Sequence, residues 1–249
     1  MDELSPNTVS TAELTHALTT QGYGVLQAAQ VAQWAHCDLA ALQALSPDWA
    51  DMPADNYLKD GGRYRRRRHS SFVCQGNALS AVAHRAHWQS LDYNALHGGM
   101  ERWFEPMHPT TVHSPAWTQL LTALAHTASE VRGTPDTRWC IEAHQFRIDT
   151  TNGIGRPTPE GAHRDGVDFV AVFMVNRVGI KGGETRVFDA HGPQGERFTL
   201  SEPWSLLLLD DTRVIHETTP IQPMAEGGYR DTLVLTCRAD KFQDAEPSA

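Results

Sequence analysis

From Trp139 onward the chain breaks into short apolar runs divided by Gly/Pro turns, and this texture most narrows the folds open to it. The runs are Cys140–Ile148, Val167–Val175, Thr185–Phe188, Arg197–Leu200, Ser205–Leu209, Val214–His216 and Tyr229–Cys237. Each is rich in Val, Ile, Phe and Leu, and each is too short for a stable helix. Many short strands at this spacing predict an all-β sandwich or barrel, not βαβ units. A jelly roll with helices packed outside it is the best match.

The first part of the sequence reads as helical. Ser10 and Glu13 form a capping box ahead of Leu14 and Leu18. A short strand follows at Gly22–Leu26, then an Ala/Leu-rich helix from Val31 to Leu45 that ends before Pro47. A third helix is expected over Thr118–Val131, with Leu120, Leu121, Leu124 and Val131 along one side. Together these segments make one domain of 249 residues. Residues 1–135 form a helix-rich part with a short arginine-rich strand, and residues 139–238 form the β core. The tryptophans read mostly as core anchors, with one from the helical part a candidate to shape the substrate pocket.

A net charge of -9 argues against a nucleic-acid partner. No run of 18 apolar residues exists to span a membrane. The polar, acidic start MDELSPNTVS does not read as a signal peptide. Four cysteines stand far apart with no CxxC pair, the pattern of reduced thiols in a cytoplasmic protein.

The chemistry is carried by His163, Asp165 and His216. His163 and Asp165 are two apart in a segment expected to run on as the Val167–Val175 strand, so their side chains share a direction. His216 follows 51 residues after Asp165, room for four strands and their turns. Two imidazoles and one carboxylate on one face suit ferrous iron and leave positions open. A lone His-x-Asp also arises by chance in surface turns, so the downstream residues matter. Arg230 and Thr232 share one face of the last strand, and a guanidinium fork beside a hydroxyl receives a carboxylate well. Apart from the histidines, Arg230 would read as an ordinary strand-end ion pair.

The order HxD, His, Arg-x-Thr resembles the Fe(II)/2-oxoglutarate-dependent dioxygenases. The segments GGRYRRRRHSSF (61–72), HRDGVDFV (163–170), TRVFD (185–189), HETTPIQP (216–223) and GYRDTLVL (228–235) are similar to those of the bacterial free L-amino-acid hydroxylases typified by L-isoleucine 4-hydroxylase. The likeness spans roughly residues 55–238. It implies a double-stranded β-helix, the cupin-like jelly roll. It implies Fe(II) on His163, Asp165 and His216, and 2-oxoglutarate anchored by Arg230 and Thr232. It implies O2 as the second co-substrate, with hydroxylation of a substrate C–H and release of succinate and CO2. Asp165 sets the protein apart from the halogenating branch, where a small residue makes room for chloride.

The substrate side is less constrained. As a strand, Gly61–Phe72 puts Arg63, Arg65 and Arg67 on one face and Arg66 and Arg68 on the other. Arg65 or Arg67 is a candidate for a substrate carboxylate, against the reading of a solvated basic patch. Gln145 and Arg147 share a face and are candidates to line the pocket, or else lie on the strand's outer surface. Gly153–Gly161, with two prolines, reads as a loop at the site mouth. His84 and His87, at i and i+3, read as exposed histidines on a helix with no third ligand. The small-molecule reading is a free amino acid or close derivative. The alternatives are a peptide or protein hydroxylase, and a cupin-like metal protein without oxygenase activity.

Overall fold

Two-residue alternation along long strands decides what each face of this protein meets. The computed structural model describes residues 4–244. Its strands are β1 (Tyr23–Leu26), β2 (Arg65–Gln75), β3 (Ala78–Ala81), β4 (Trp139–Asp149), β5 (Phe169–Val178), β6 (Ile180–Gly182), β7 (Thr185–Asp189), β8 (Gly195–Phe198), β9 (Leu206–Asp210), β10 (Val214–Thr218), β11 (Ile221–Pro223) and β12 (Tyr229–Ala239). The helices are α1 (Leu14–Gln21), α2 (Ala28–Trp34), α3 (Leu39–Gln43), α4 (Pro109–Val112) and α5 (Pro115–Arg132).

The main sheet has the order β1-β9-β5-β12-β4-β2-β3, and its paired strands are antiparallel. A smaller sheet, β10-β7-β8, and the β11-β6 pair make the second layer. This is the jelly-roll sandwich expected from the short strands. One face of the main sheet buries Ile141, Ala143, Phe169, Ala171, Phe173, Leu233 and Leu235 against Leu14, Leu18, Trp49, Trp117 and Leu121. The opposite face packs Val170, Met174, Leu207 and Leu209 on Val187, Phe198 and Val214 of the smaller layer. Adjacent residues of β5 and β9 therefore serve different cores, as the pleat requires. Burying such a Leu or Phe contributes about 1.5–3 kcal/mol, so both layers depend on these strands.

The Ser10–Glu13 capping box forms, with Ser10 N–H donating to Glu13 Oε2 at 3.0 Å. The single helix expected over 31–45 is instead α2 and α3. The break falls at His36, whose φ of 54° lies in the left-handed region and cannot continue a helix. The strand expected at Arg197–Leu200 begins two residues earlier, at Gly195. The arginine-rich strand is present as β2, hydrogen-bonded to β4. No helix among the described residues is long and apolar enough to cross a membrane.

Candidate metal and substrate site

His163 and Asp165 do not belong to a strand. β5 begins only at Phe169, and the segment before it is an irregular turn. His163 is held instead by a two-way backbone bridge to His216 of β10, with N···O distances of 3.0 and 2.9 Å. That bridge brings the two rings to a centroid distance of 4.6 Å. His163 Nε2 lies 3.9 Å from Asp165 Oδ1, and His216 Nε2 lies 3.7 Å from Asp165 Oδ2. Donors about 2 Å from one ion stand roughly 3–4 Å apart, so the set fits a single metal. Two imidazoles and one carboxylate are the donor set of a non-haem iron(II) oxygenase site.

A backbone carbonyl orients one imidazole, and burial sets the charge of the other. His163 Nδ1 is 2.9 Å from the Gly161 carbonyl; a proton there leaves the Nε2 lone pair toward Asp165. Burial opposes charge on His163, but Asp165, Glu160 and the Gly161 carbonyl outweigh it and raise its pKa. Burial, then the nearby His163, holds His216 well below its ordinary value, in the neutral form a metal needs.

The support around Asp165 was not legible in the sequence. Gln89 Nε2 donates to Asp165 Oδ1 at 3.1 Å. The Gln89 oxygen in turn accepts from Arg102 at 3.0 Å and from Asn94 at 3.2 Å. Asp211 accepts the backbone N–H groups of Asp165, Gly166 and Val167 at 2.9, 2.8 and 3.1 Å. Burial first, then the Asp165 charge, pushes the Asp211 carboxyl up to about 7. Gly166 has φ 76°, and a Cβ there would come within 2.4 Å of Tyr93. Only glycine allows this turn directly after the carboxylate.

The triad opens on a cavity of about 120 Å³ between the two sheets. Arg230 and Thr232 line it from β12, and both are buried. Among the described residues, the Arg230 Nε has no hydrogen-bond partner. Burial, with Arg177 nearby, lowers its pKa to about 10, so it stays a cation at neutral pH. A desolvated guanidinium in such a wall favours an anion.

The far wall comes from β2 and β4. Arg65 and Arg67 face the cavity, while Arg66 and Arg68 point away, as alternation predicted. Arg65 is paired with Asp55 at 2.7 Å. Arg67 lies between Phe104 and Phe146, 4.2 and 4.5 Å from their ring centroids, and its NH2 donates to His144 Nδ1 at 2.9 Å. His69 Nε2 and His87 Nδ1 lie 3.1 and 3.2 Å from Glu142 Oε1, as donors to the carboxylate. Burial lowers all three imidazoles, that of His87 to about 3. His69, His87 and His144 are close enough together to suggest a second metal position. However, Arg67 occupies the His144 lone pair such a metal would need. The three rings are a hydrogen-bonded wall.

Several expectations are corrected here. Gln145 and Arg147 do not line the cavity. They alternate with His144, Phe146 and Ile148, which do, and so lie on the other face of β4. Gln145 is fully buried there, and Arg147 makes a two-pronged pair with Asp231 at 2.7 and 2.8 Å. His84 and His87 are not on a helix: their segment is extended, His87 is buried at the cavity wall, and His84 contacts the Phe104 carbonyl at 2.8 Å. Pro157, Thr158 and Glu160 of the Gly153–Gly161 loop line the cavity, as a loop at its mouth would.

Comparison with known proteins agrees with this geometry. The family model for 2OG-Fe dioxygenase matches residues 46–236. The crystal structure of a bsmA homolog from Methylobium petroleophilum PM1 is 51% identical, with a TM-score of 0.90 over 96% of this protein and 97% of that one. The fold is also shared with IDO from Bacillus thuringiensis (18% identity, TM-score 0.76, covering 93% of this protein and 100% of that one). It is shared too with the Fe(II)/(alpha)ketoglutarate-dependent dioxygenase TqaL (18% identity, TM-score 0.67, covering 95% and 92%). No curated protein matches the sequence. With its His/Asp/His donor set in a jelly roll, the protein belongs to the 2OG-Fe dioxygenase family, oxygenases that work with Fe(II), 2-oxoglutarate and O2.

Proposed function

We propose that this protein hydroxylates a carbon–hydrogen bond in the side chain of a free L-amino acid or a close derivative, releasing succinate and CO2. In this reading His163, Asp165 and His216 hold Fe(II), and Arg230 with Thr232 receives the distal carboxylate of 2-oxoglutarate. The bound iron and 2-oxoglutarate supply the oxidising chemistry. The protein's own residues bind, orient and keep water out.

One observation carries the choice of substrate. Arg67 and Arg102 are buried guanidiniums on the cavity wall, and each has an Nε without a hydrogen-bond partner. Among the described residues neither has a carboxylate within ion-pair distance, whereas Arg65 and Arg147 do. Burial, then mutual repulsion, lowers the Arg67 pKa, and burial lowers that of Arg102 to about 10. Two desolvated cations in one small cavity call for an anionic ligand. A compact amino acid supplies a carboxylate there and presents its side chain toward the triad. Phe146, Val172 and Val234 give that side chain an apolar surface.

The test is a panel of free L-amino acids with Fe(II), 2-oxoglutarate and ascorbate, read by succinate formation and by product mass. At least one amino acid should gain a single oxygen, on a carbon beyond Cα. Arg67→Ala should raise its KM while leaving the KM for 2-oxoglutarate near the wild-type value. Turnover of peptides with none of the free amino acids would replace this reading with a peptide hydroxylase.

A further inference from the structure

Glu160 is a carboxylate in the wrong company for an unliganded role. It lies in the loop before His163 and lines the cavity. Its Oε2 is buried and has no hydrogen-bond partner among the described residues. Its Oε1 is 3.6 Å from His163 Nε2, beyond a normal hydrogen bond. With the His163 proton on Nδ1 toward Gly161, Nε2 has no proton for Glu160; with both nitrogens protonated, the contact is an ion pair. Iron held by His163 Nε2 would take that nitrogen and leave Glu160 without its one ion-pair neighbour. A carboxylate oxygen buried in this way is stabilised by a cation or a donor.

Apart from His163, no cation among the described residues lies within ion-pair distance of it. Arg65 is taken by Asp55, and Arg102 donates to Gln89. Glu160 nonetheless lies close enough to Arg102 for their charges to interact. The wall thus carries an unmatched acid near an unmatched guanidinium, the complement of a zwitterion.

We propose that Glu160 accepts the α-ammonium of the substrate, while Arg67 and Arg102 hold its carboxylate. This rests on the amino-acid reading above and adds the residue that makes the site specific for an amine. An α-amino acid neutralises both ends of this wall at once. The corresponding acid without its amino group would leave the buried Oε2 of Glu160 uncompensated. Discrimination by an unpaired polar group is stronger than discrimination by a missing methylene.

The experiment uses the full-length protein loaded with Mn(II) and 2-oxoglutarate, so that binding is read by calorimetry without turnover. The probes are the best amino acid from the panel, its des-amino analogue and its N-acetyl derivative. Wild type should prefer the amino acid over both analogues by at least about tenfold. Glu160→Gln and Glu160→Ala should lose that preference through weaker binding of the amino acid. Mn(II) affinity, measured separately, should stay near wild type and so exclude a lost metal as the cause. A preference that survives both variants overturns the role of Glu160 and leaves the amino-acid reading standing. A wild type that neither binds nor turns over any free amino acid overturns both.

Discussion

Gln89 Nε2 donates to Asp165 Oδ1 at 3.1 Å, from a position 76 residues earlier in the sequence. The direction of that amide is fixed from behind, because Arg102 and Asn94 are donors and claim its oxygen. The NH2 group has only the carboxylate to meet. Gln89→Leu is therefore expected to weaken Fe(II) affinity by about 10- to 100-fold, the usual effect of losing a partner behind a metal ligand. Gln89→Glu should be worse, since it sets a second carboxylate against Asp165. Metal titration followed by absorbance checks both; unchanged affinity in Gln89→Leu would remove Gln89 from the site.

Replacing His163 or His216 by Ala should abolish most iron binding and all turnover, because two ligands do not define the site. The fold should persist. Both residues lie at the edge of the cavity, while the apolar cores of the two layers remain intact. Far-UV circular dichroism with iron quantification reads the two effects apart, and a His216→Ala protein with full iron and turnover would refute its role as ligand.

Arg230→Ala should retain iron but weaken 2-oxoglutarate binding by about 2–4 kcal/mol, as when a buried charge loses its partner. Arg230→Lys should recover only part of this, since one ammonium cannot form the fork. The measurement is the KM for 2-oxoglutarate at saturating iron. An unchanged value would move the anchor elsewhere in the cavity.

The histidine wall predicts acid sensitivity. Burial lowers the His87 pKa from 6.5 to about 3. The unfolded protein takes up a proton near 6.5, and the folded one does so only near 3. Stability should therefore fall as pH drops through that window. The slope is up to about 1.4 kcal/mol per pH unit for each such proton. His69 and His144 are lowered as well and act in the same direction. Urea unfolding at a series of pH values should show this slope, reduced by about one proton in His87→Gln. A variant with the wild-type slope would show that His87 titrates normally in the fold.

Much of the site was legible because it is written in short-range spacing. His163, Asp165, His216, Arg230 and Thr232 sit beside or within β strands whose apolar runs mark them. Arg65 and Arg67 were placed on one face of β2 by alternation alone. Alternation also gave Gln145 and Arg147 a common face. Which face of β4 meets the cavity is decided by β2 and β12 on either side of it, and that choice turned both residues away from the site. The sequence misled on His87 because i, i+3 spacing suggests a helix only when the backbone is helical.

Taken by itself, the sequence determined the strand pattern, the donor set for iron and the shared face of Arg230 and Thr232 on the last strand. These follow from local periodicity and residue chemistry. Only the tertiary structure decided that the segment 87–102 folds over the triad, bringing Gln89, Asn94 and Arg102 onto Asp165 and the cavity. Only it decided that Arg67 and Arg102 are buried with no acid in ion-pair distance among the described residues, and that Glu160 lines the same cavity with a buried, unpartnered oxygen. The physical reason is that burial and charge pairing are properties of neighbours distant in sequence. The same arginine is a solvated surface charge or a desolvated anion receptor depending on what packs around it.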